Sequence, residues 1–264
     1  MAIELQQLAA ALYLVAGIAQ IFGITAPRLR FGRAAPWLLG AGAIVHGLCF
    51  AVLHALPNPP SLTNLPAAVS LMAWIGVLQS LILLRRARLE GLVAGMALLA
   101  FVGVLYGSLT MREGGPPAPV GTGSWPHLHV ILAGAGLSLL AVAGLAGALF
   151  IAVDRALKSK RGGNWRKRLP SLEALDRVNA LALTIGFPLL SSGVVAGMLW
   201  TQSQTGQLFA GGAHAIWSSV AWGVYLVLAV ARFRMGMRGR EAAACAALGF
   251  AFLLFVVIGV GVVA

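Results

Sequence analysis

Apolar residues in this chain neither alternate with polar ones nor recur along one face of a helix; they come in long, nearly unbroken runs. Eight runs stand out, at about 5–26, 35–57, 66–84, 91–111, 127–153, 178–200, 213–231 and 242–263. Roughly 20 apolar residues in helical form cross the hydrocarbon of a bilayer, and each run is close to that length. A lipid-embedded segment must satisfy its own backbone hydrogen bonds, which leaves helices or a closed barrel. The period-two pattern of barrel strands is absent. Glycine is abundant, 33 residues in all, and much of it lies inside the runs, as at Gly134, Gly136, Gly144 and Gly147. In water that would weaken helices, whereas in lipid small residues let helices approach closely. The pattern predicts an all-α integral membrane protein, a bundle of about eight transmembrane helices forming a single polytopic domain over residues 1–264.

Composition sharpens this reading. The chain has 264 residues, 59% hydrophobic and 10% charged, against about 45–50% and about 25% for a soluble domain. Its mean hydropathy is +0.90. So few charges cannot cover a soluble globule, which excludes a soluble enzyme, a nucleic-acid-binding domain and a disordered chain. The net charge of +12 would suggest nucleic acid in a soluble protein. Here its distribution gives a different account, and no nucleic-acid partner is expected.

Basic residues sit in alternate connections. Arg28, Arg30 and Arg33 follow the first run, and Arg85, Arg86 and Arg88 the third. Arg155, Lys158, Lys160, Arg161, Arg166, Lys167, Arg168 and Arg177 follow the fifth, and Arg232, Arg234, Arg238 and Arg240 the seventh. Every basic residue but Arg112 belongs to one of these four groups. By the positive-inside rule both termini lie on the non-cytoplasmic side, and 154–177 is a cytoplasmic basic loop. That loop carries enough charge to meet anionic lipid or an acidic partner. The outer connections are nearly uncharged and turn-rich, with Pro59 and Pro60 in one and Pro116, Pro117 and Pro119 in another. The first run lacks a basic leader and a clear cleavage site and reads as a retained helix. Lys160→Cys and Thr122→Cys, in a background with Cys49 and Cys245 replaced by alanine, should label from opposite sides of the membrane. Labelling of both from one side would overturn the topology.

Candidate chemistry is sparse. No acidic residue lies in the middle of a run, which counts against a proton pump or an ion-coupled transporter. Cys49 and Cys245 each lie in an apolar run and read as small buried hydrophobes. The five histidines, His46, His54, His127, His129 and His214, all fall within runs or at their ends. His46 lies near mid-membrane, where an imidazole needs a partner or a purpose. His54 is about 12 Å nearer the outside along the helix. His127 and His129 open the fifth run and His214 the seventh, all on the outer side. His127 and His129 are about 200° apart on a helix, so only one of them can face a given pocket. Neutral imidazoles at such depths suit axial ligation of haem iron. Trp37, Trp125, Trp200 and Trp217 lie near predicted interfaces, where indoles settle for their own reasons. Trp74 and Trp222 sit deeper; they could wall a flat porphyrin-sized cleft or simply pack.

Several segments together resemble the CcsA/CcmC/ResC superfamily of cytochrome c assembly proteins, and within it the HemX/YpjD-type branch of eight-helix bacterial inner-membrane proteins. They are Ser61-Leu62 with 68–74 (AVSLMAW), Ser124 to Val130 (SWPHLHV), Leu175 to Asn179 (LDRVN), and 185–190 (IGFPLL) leading to Gly193 and Gly197. Trp217-Ser218, 221–225 (AWGVY) and Arg238-Gly239-Arg240 complete the set. Order and spacing hold from about residue 40 to the end. The resemblance implies a multi-pass protein of the bacterial inner (cytoplasmic) membrane that binds b-type haem non-covalently near the outer leaflet. It matches His129 to the family histidine after the Trp-containing loop, and His46 to the histidine of the second helix in the HemX/YpjD-type branch. His129 and His46 are then the expected axial ligands, with His214, which the resemblance does not match but which lies on the outer side, as the alternative, and Trp74, Trp125 and Trp222 the aromatic neighbours.

One departure bears on activity. Cytochrome c synthases of this superfamily carry a Trp-rich, Asp-containing signature before the position of Trp217. Here that stretch, 205–214, reads TGQLFAGGAH, with neither tryptophan nor aspartate. Haem binding or movement is therefore expected rather than an enzymatic attachment step. The partners are haem, the bilayer, and other cytochrome c biogenesis proteins or a haem-biosynthesis enzyme. The alternative is a HemX-like regulator or scaffold of haem biosynthesis working through the basic loop. A haem-free small-molecule transporter is a third reading.

Overall fold

The computed structural model describes residues 1–26, 31–56, 61–84, 89–110, 124–159, 170–209 and 211–263. Among these residues every regular element is a helix: α1 (Ala2–Thr25), a 3-10 turn (Phe31–Arg33), α2 (Ala35–His54), α3 (Leu65–Leu84), α4 (Glu90–Thr110), α5 (Trp125–Lys158), α6 (Leu172–Thr205), α7 (Ala213–Phe233) and α8 (Gly239–Val263). All eight α-helices are long and apolar enough to cross a membrane. They are apolar on every side, so large hydrophobic residues face outward as well as inward. Trp37, Ile44, Val227 and Leu248 are among the most exposed. In water such a surface would aggregate; in lipid it is the expected exterior. The protein is an all-α, multi-pass membrane protein.

The helices follow the apolar runs closely, with the main extensions at the basic ends of two and at the polar end of α6, which continues to Thr205. α5 continues through Asp154 and Arg155 to Lys158, and α6 starts at Leu172, before the run at 178. Hydropathy stops where charge begins, but helix geometry does not. Lys158 pairs with Asp154 at 2.9 Å and Arg177 with Glu173 at 2.8 Å, each across one turn. The Ser171 hydroxyl caps α6 by accepting from the Ala174 N–H at 3.1 Å. Residues 154–158 and 172–177 of the expected loop are thus helix. The charges at Lys160, Arg161, Arg166, Lys167 and Arg168 lie outside the described residues, as do Arg28, Arg30, Arg85, Arg86, Arg88, Arg112 and the prolines of both outer connections.

The chain divides into two compact units. The first comprises residues 1–119 and 159–170 and contains α1 to α4. In it α1 packs on α2 and α4, and α3 on α4, around Tyr13, Leu39, Val77 and Val104. The second comprises residues 120–158 and 171–264 and contains α5 to α8. Its axis is the long antiparallel pair α5–α6, with α8 against α5. Small residues allow this closeness. A Cβ on Gly136 would stand 2.5 Å from the Leu190 backbone nitrogen, and one on Gly193 2.6 Å from that of Ala133. On the other face of α5, a Cβ on Gly147 would strike the Ala243 carbonyl of α8. Gly136, Gly147 and Gly193 are therefore contact points between helices, whereas Gly40 and Gly223 face open space.

Candidate functional site

In the second unit, α5 presents His129 to the glycine face of α6. The His129 Nδ1–H donates to the Gly193 carbonyl at 2.8 Å. A carbonyl can only accept, so Nδ1 carries a proton, and in the neutral form of the ring the lone pair is then on Nε2. A ring nitrogen fixed by a backbone carbonyl is the usual support of a metal-ligating histidine. Gly197, one turn further along α6, makes room for the ring: a Cβ there would lie 2.7 Å from Nδ1 and 3.0 Å from Cε1. The Nδ1–Cε1 edge therefore faces α6. Trp200 follows on the same face, its ring centroid 6.2 Å from that of His129. Its indole Nε1 is shielded from solvent and has no hydrogen-bond partner among the described residues.

Other expected neighbours in this unit are placed less centrally. Trp125 is the first residue of α5 and is 39% exposed. Trp222 stacks on Phe187 with centroids 6.0 Å apart, and its Nε1–H donates to the Ser191 hydroxyl at 2.9 Å. His127 is exposed beside the half-buried His129, so the helix turns one histidine of the pair inward, as their angular spacing requires. His214 falls in the first turn of α7.

The first unit holds His46 in different surroundings. The ring is fully buried, 0% exposed, and both nitrogens are engaged. Nδ1 shares a hydrogen bond with the Tyr13 hydroxyl at 3.2 Å, and Nε2 one with the Ser70 hydroxyl at 2.9 Å. The Gln6 side-chain amide donates to the same Ser70 oxygen at 2.9 Å. Phe50 stacks on the imidazole at 5.0 Å, and Trp74 lies against Phe50 at 5.9 Å. The Trp74 Nε1–H donates to the Ala43 carbonyl at 2.8 Å. This is a polar chain tying α1, α2 and α3 together inside an apolar core, and it gives a mid-membrane imidazole the partners it needs. Sequence reasoning singled out His46 but not Gln6, Tyr13 or Ser70. His54 is exposed at the end of α2. Among the described residues no group of three or more His, Cys, Asp or Glu side chains gathers to hold a metal ion.

A family model for the cytochrome c assembly protein matches residues 62–264. The chain belongs to the cytochrome c assembly protein family. Similar curated proteins include the cytochrome c biogenesis protein CcsA of Microcystis aeruginosa, 32% identical over 94 residues, which cover 36% of this chain and 29% of the relative. The CcsA of Gloeobacter violaceus is 29% identical over 102 residues, or 39% of this chain and 30% of that protein. That of Guillardia theta is 26% identical over 165 residues, or 57% of this chain and 55% of that protein. The chain thus spans about a third to about half the length of the curated relatives it matches. The family match begins after α2, so His129, His214, Trp200 and Trp222 lie within it and His46 lies before it. Sequence reading placed Trp200 at an interface, where indoles are common. The spacing of Gly193, Gly197 and Trp200, four and then three residues, was the available sign that this indole shares a helix face with the glycines.

Proposed function

We propose that this family member handles haem during cytochrome c assembly in a bacterial inner membrane, with His129 as an axial ligand of a non-covalently held b-type haem. The observation that carries the reading is the hydrogen bond from His129 Nδ1 to the Gly193 carbonyl at 2.8 Å. It fixes the tautomer and leaves Nε2 as the donor atom an iron would use. The residues present fit the group: an oriented imidazole, an apolar helix pair and an unpartnered indole N–H at the same place. The family membership and the CcsA relatives support the same assignment. When bound, haem supplies its iron and the ring's own nitrogen ligands, so one or two protein imidazoles suffice and no larger ligand cluster is needed.

The chain's own part is to bind and orient. Gly193 sets the imidazole and Gly197 leaves space for it, so the α5–α6 pair would present the ring to the iron. His214, in the same unit, is the partner ligand this reading favours. His46 enters as a ligand only by releasing Ser70 or Tyr13, so the reading gives it the polar chain of the first unit. Trp125 and Trp222 remain the aromatic neighbours in the second unit, and Trp74 accompanies His46. The reading has the protein hold or pass haem without making or breaking its bonds.

The test is purification in detergent followed by titration with haem, read by visible absorption. A saturable Soret band at one haem per chain is expected. A wild-type protein that takes up no haem under any redox condition overturns the reading. A basic-loop regulator of haem biosynthesis then becomes the better account.

A further inference from the structure

We propose that the Trp200 indole N–H donates a hydrogen bond to a carboxylate oxygen of the haem held at His129, and so sets which way the macrocycle faces at that end of the α5–α6 pair. This rests on the haem reading above. An indole nitrogen is donor-only, and a buried donor left without an acceptor is penalised. The deeper tryptophans obey this rule, Trp74 donating at 2.8 Å to Ala43 and Trp222 at 2.9 Å to Ser191. Among the described residues Trp200 has no acceptor, and it is the one whose ring lies 6.2 Å from that of His129. The missing acceptor therefore belongs beside the imidazole.

The setting also selects the kind of acceptor. Asp154, Glu173 and Asp176 stand at the opposite ends of α5 and α6, so no described carboxylate of this helix pair competes for the N–H. Gly193, Gly197 and Trp200 share one face of α6, with His129 lying on the glycines. A haem held at His129 carries its carboxylates at the edge of the ring, and the indole N–H on the same helix face would be a donor for one of them. A hydrogen bond to an ionised oxygen is stronger than a neutral one, and the apolar surroundings strengthen it further. Lipid phosphate offers similar chemistry, and the experiment separates the two sources.

Full-length protein in detergent is titrated with haem and with haem dimethyl ester, as wild type and as Trp200→Phe. Wild type should bind the ester about tenfold more weakly than haem, and Trp200→Phe should lose about the same factor for haem. The variant should no longer distinguish the two ligands, while its Soret position stays that of His129 ligation. In 15N-labelled wild type the Trp200 indole N–H resonance should shift on adding gallium protoporphyrin, and not on adding phosphatidylglycerol. Equal discrimination by both proteins, or a shift with the lipid alone, overturns the proposal. If Trp200→Phe does not fold, the resonance experiment on wild type decides. Failure of wild type to take up haem at all is a different result: it removes the haem reading, and this proposal with it.

Discussion

His129→Ala should lower haem affinity at least about a hundredfold and abolish the wild-type Soret spectrum. Losing a supporting group alone typically costs about 10- to 100-fold in metal affinity, and this variant loses the ligand itself. The fold should survive, because the ring is half-buried and contributes one hydrogen bond, worth about 1 kcal/mol. Exogenous imidazole should restore a Soret band in His129→Gly, which separates loss of a ligand from loss of structure. His46→Ala is the contrasting arm. It leaves Tyr13 without this partner in an apolar core, while Ser70 keeps the bond it accepts from Gln6 and loses the acceptor for its own O–H, and each stranded group costs about 1–3 kcal/mol. Its signature should be a lower melting temperature with an unaltered spectrum. A normal haem spectrum and affinity in His129→Ala would show that this residue does not ligate.

Much of the architecture was legible in the sequence because a bilayer imposes one rule, length in apolar residues, and each helix had to meet it. What hydropathy could not see were the helix ends held by charge, at Lys158 with Asp154 and at Arg177 with Glu173. The candidate site was legible in part. Angular spacing required that His127 and His129 face different ways, but only packing against Gly193 and Gly197 shows that His129 is the one turned in. Burial cost required that His46 have partners, but Tyr13 is 33 residues away and Ser70 24. Pairings at such distance depend on which helices become neighbours, and a single sequence does not contain that. Trp200 was hidden for another reason: indoles at membrane interfaces are so common that position alone carried no signal.

The far end of α6 carries the second large effect. Arg232 at the end of α7 binds Asp176 with both guanidinium nitrogens, Nη1 to Oδ1 and Nη2 to Oδ2, each at 2.8 Å. Nη2 also reaches the Asp176 backbone carbonyl at 3.3 Å, and the Gly239 N–H at the start of α8 donates to Oδ1 at 3.1 Å. One carboxylate therefore joins three helices. The Arg232 side chain is only 8% exposed and that of Asp176 24%, so the pair is screened far less than an ion pair in open solvent. Asp176→Asn keeps the volume but removes the charge and turns an NH2 group toward the guanidinium. Leaving a buried cation unpaired costs about 3–5 kcal/mol, and the partial exposure of Asp176 brings the expectation down to about 2–3 kcal/mol. Thermal unfolding in detergent should show a clear drop in midpoint. Asp176 lies 17 residues before Gly193, about 26 Å along the helix, so the haem affinity of the folded fraction should be unchanged. Asp176→Leu combined with Arg232→Met should recover part of the loss, because no charge is then stranded. If Asp176→Asn melts at the wild-type temperature, the clasp does not hold these helix ends together. If the double variant is less stable than Asp176→Asn, the penalty is not that of an unpaired arginine.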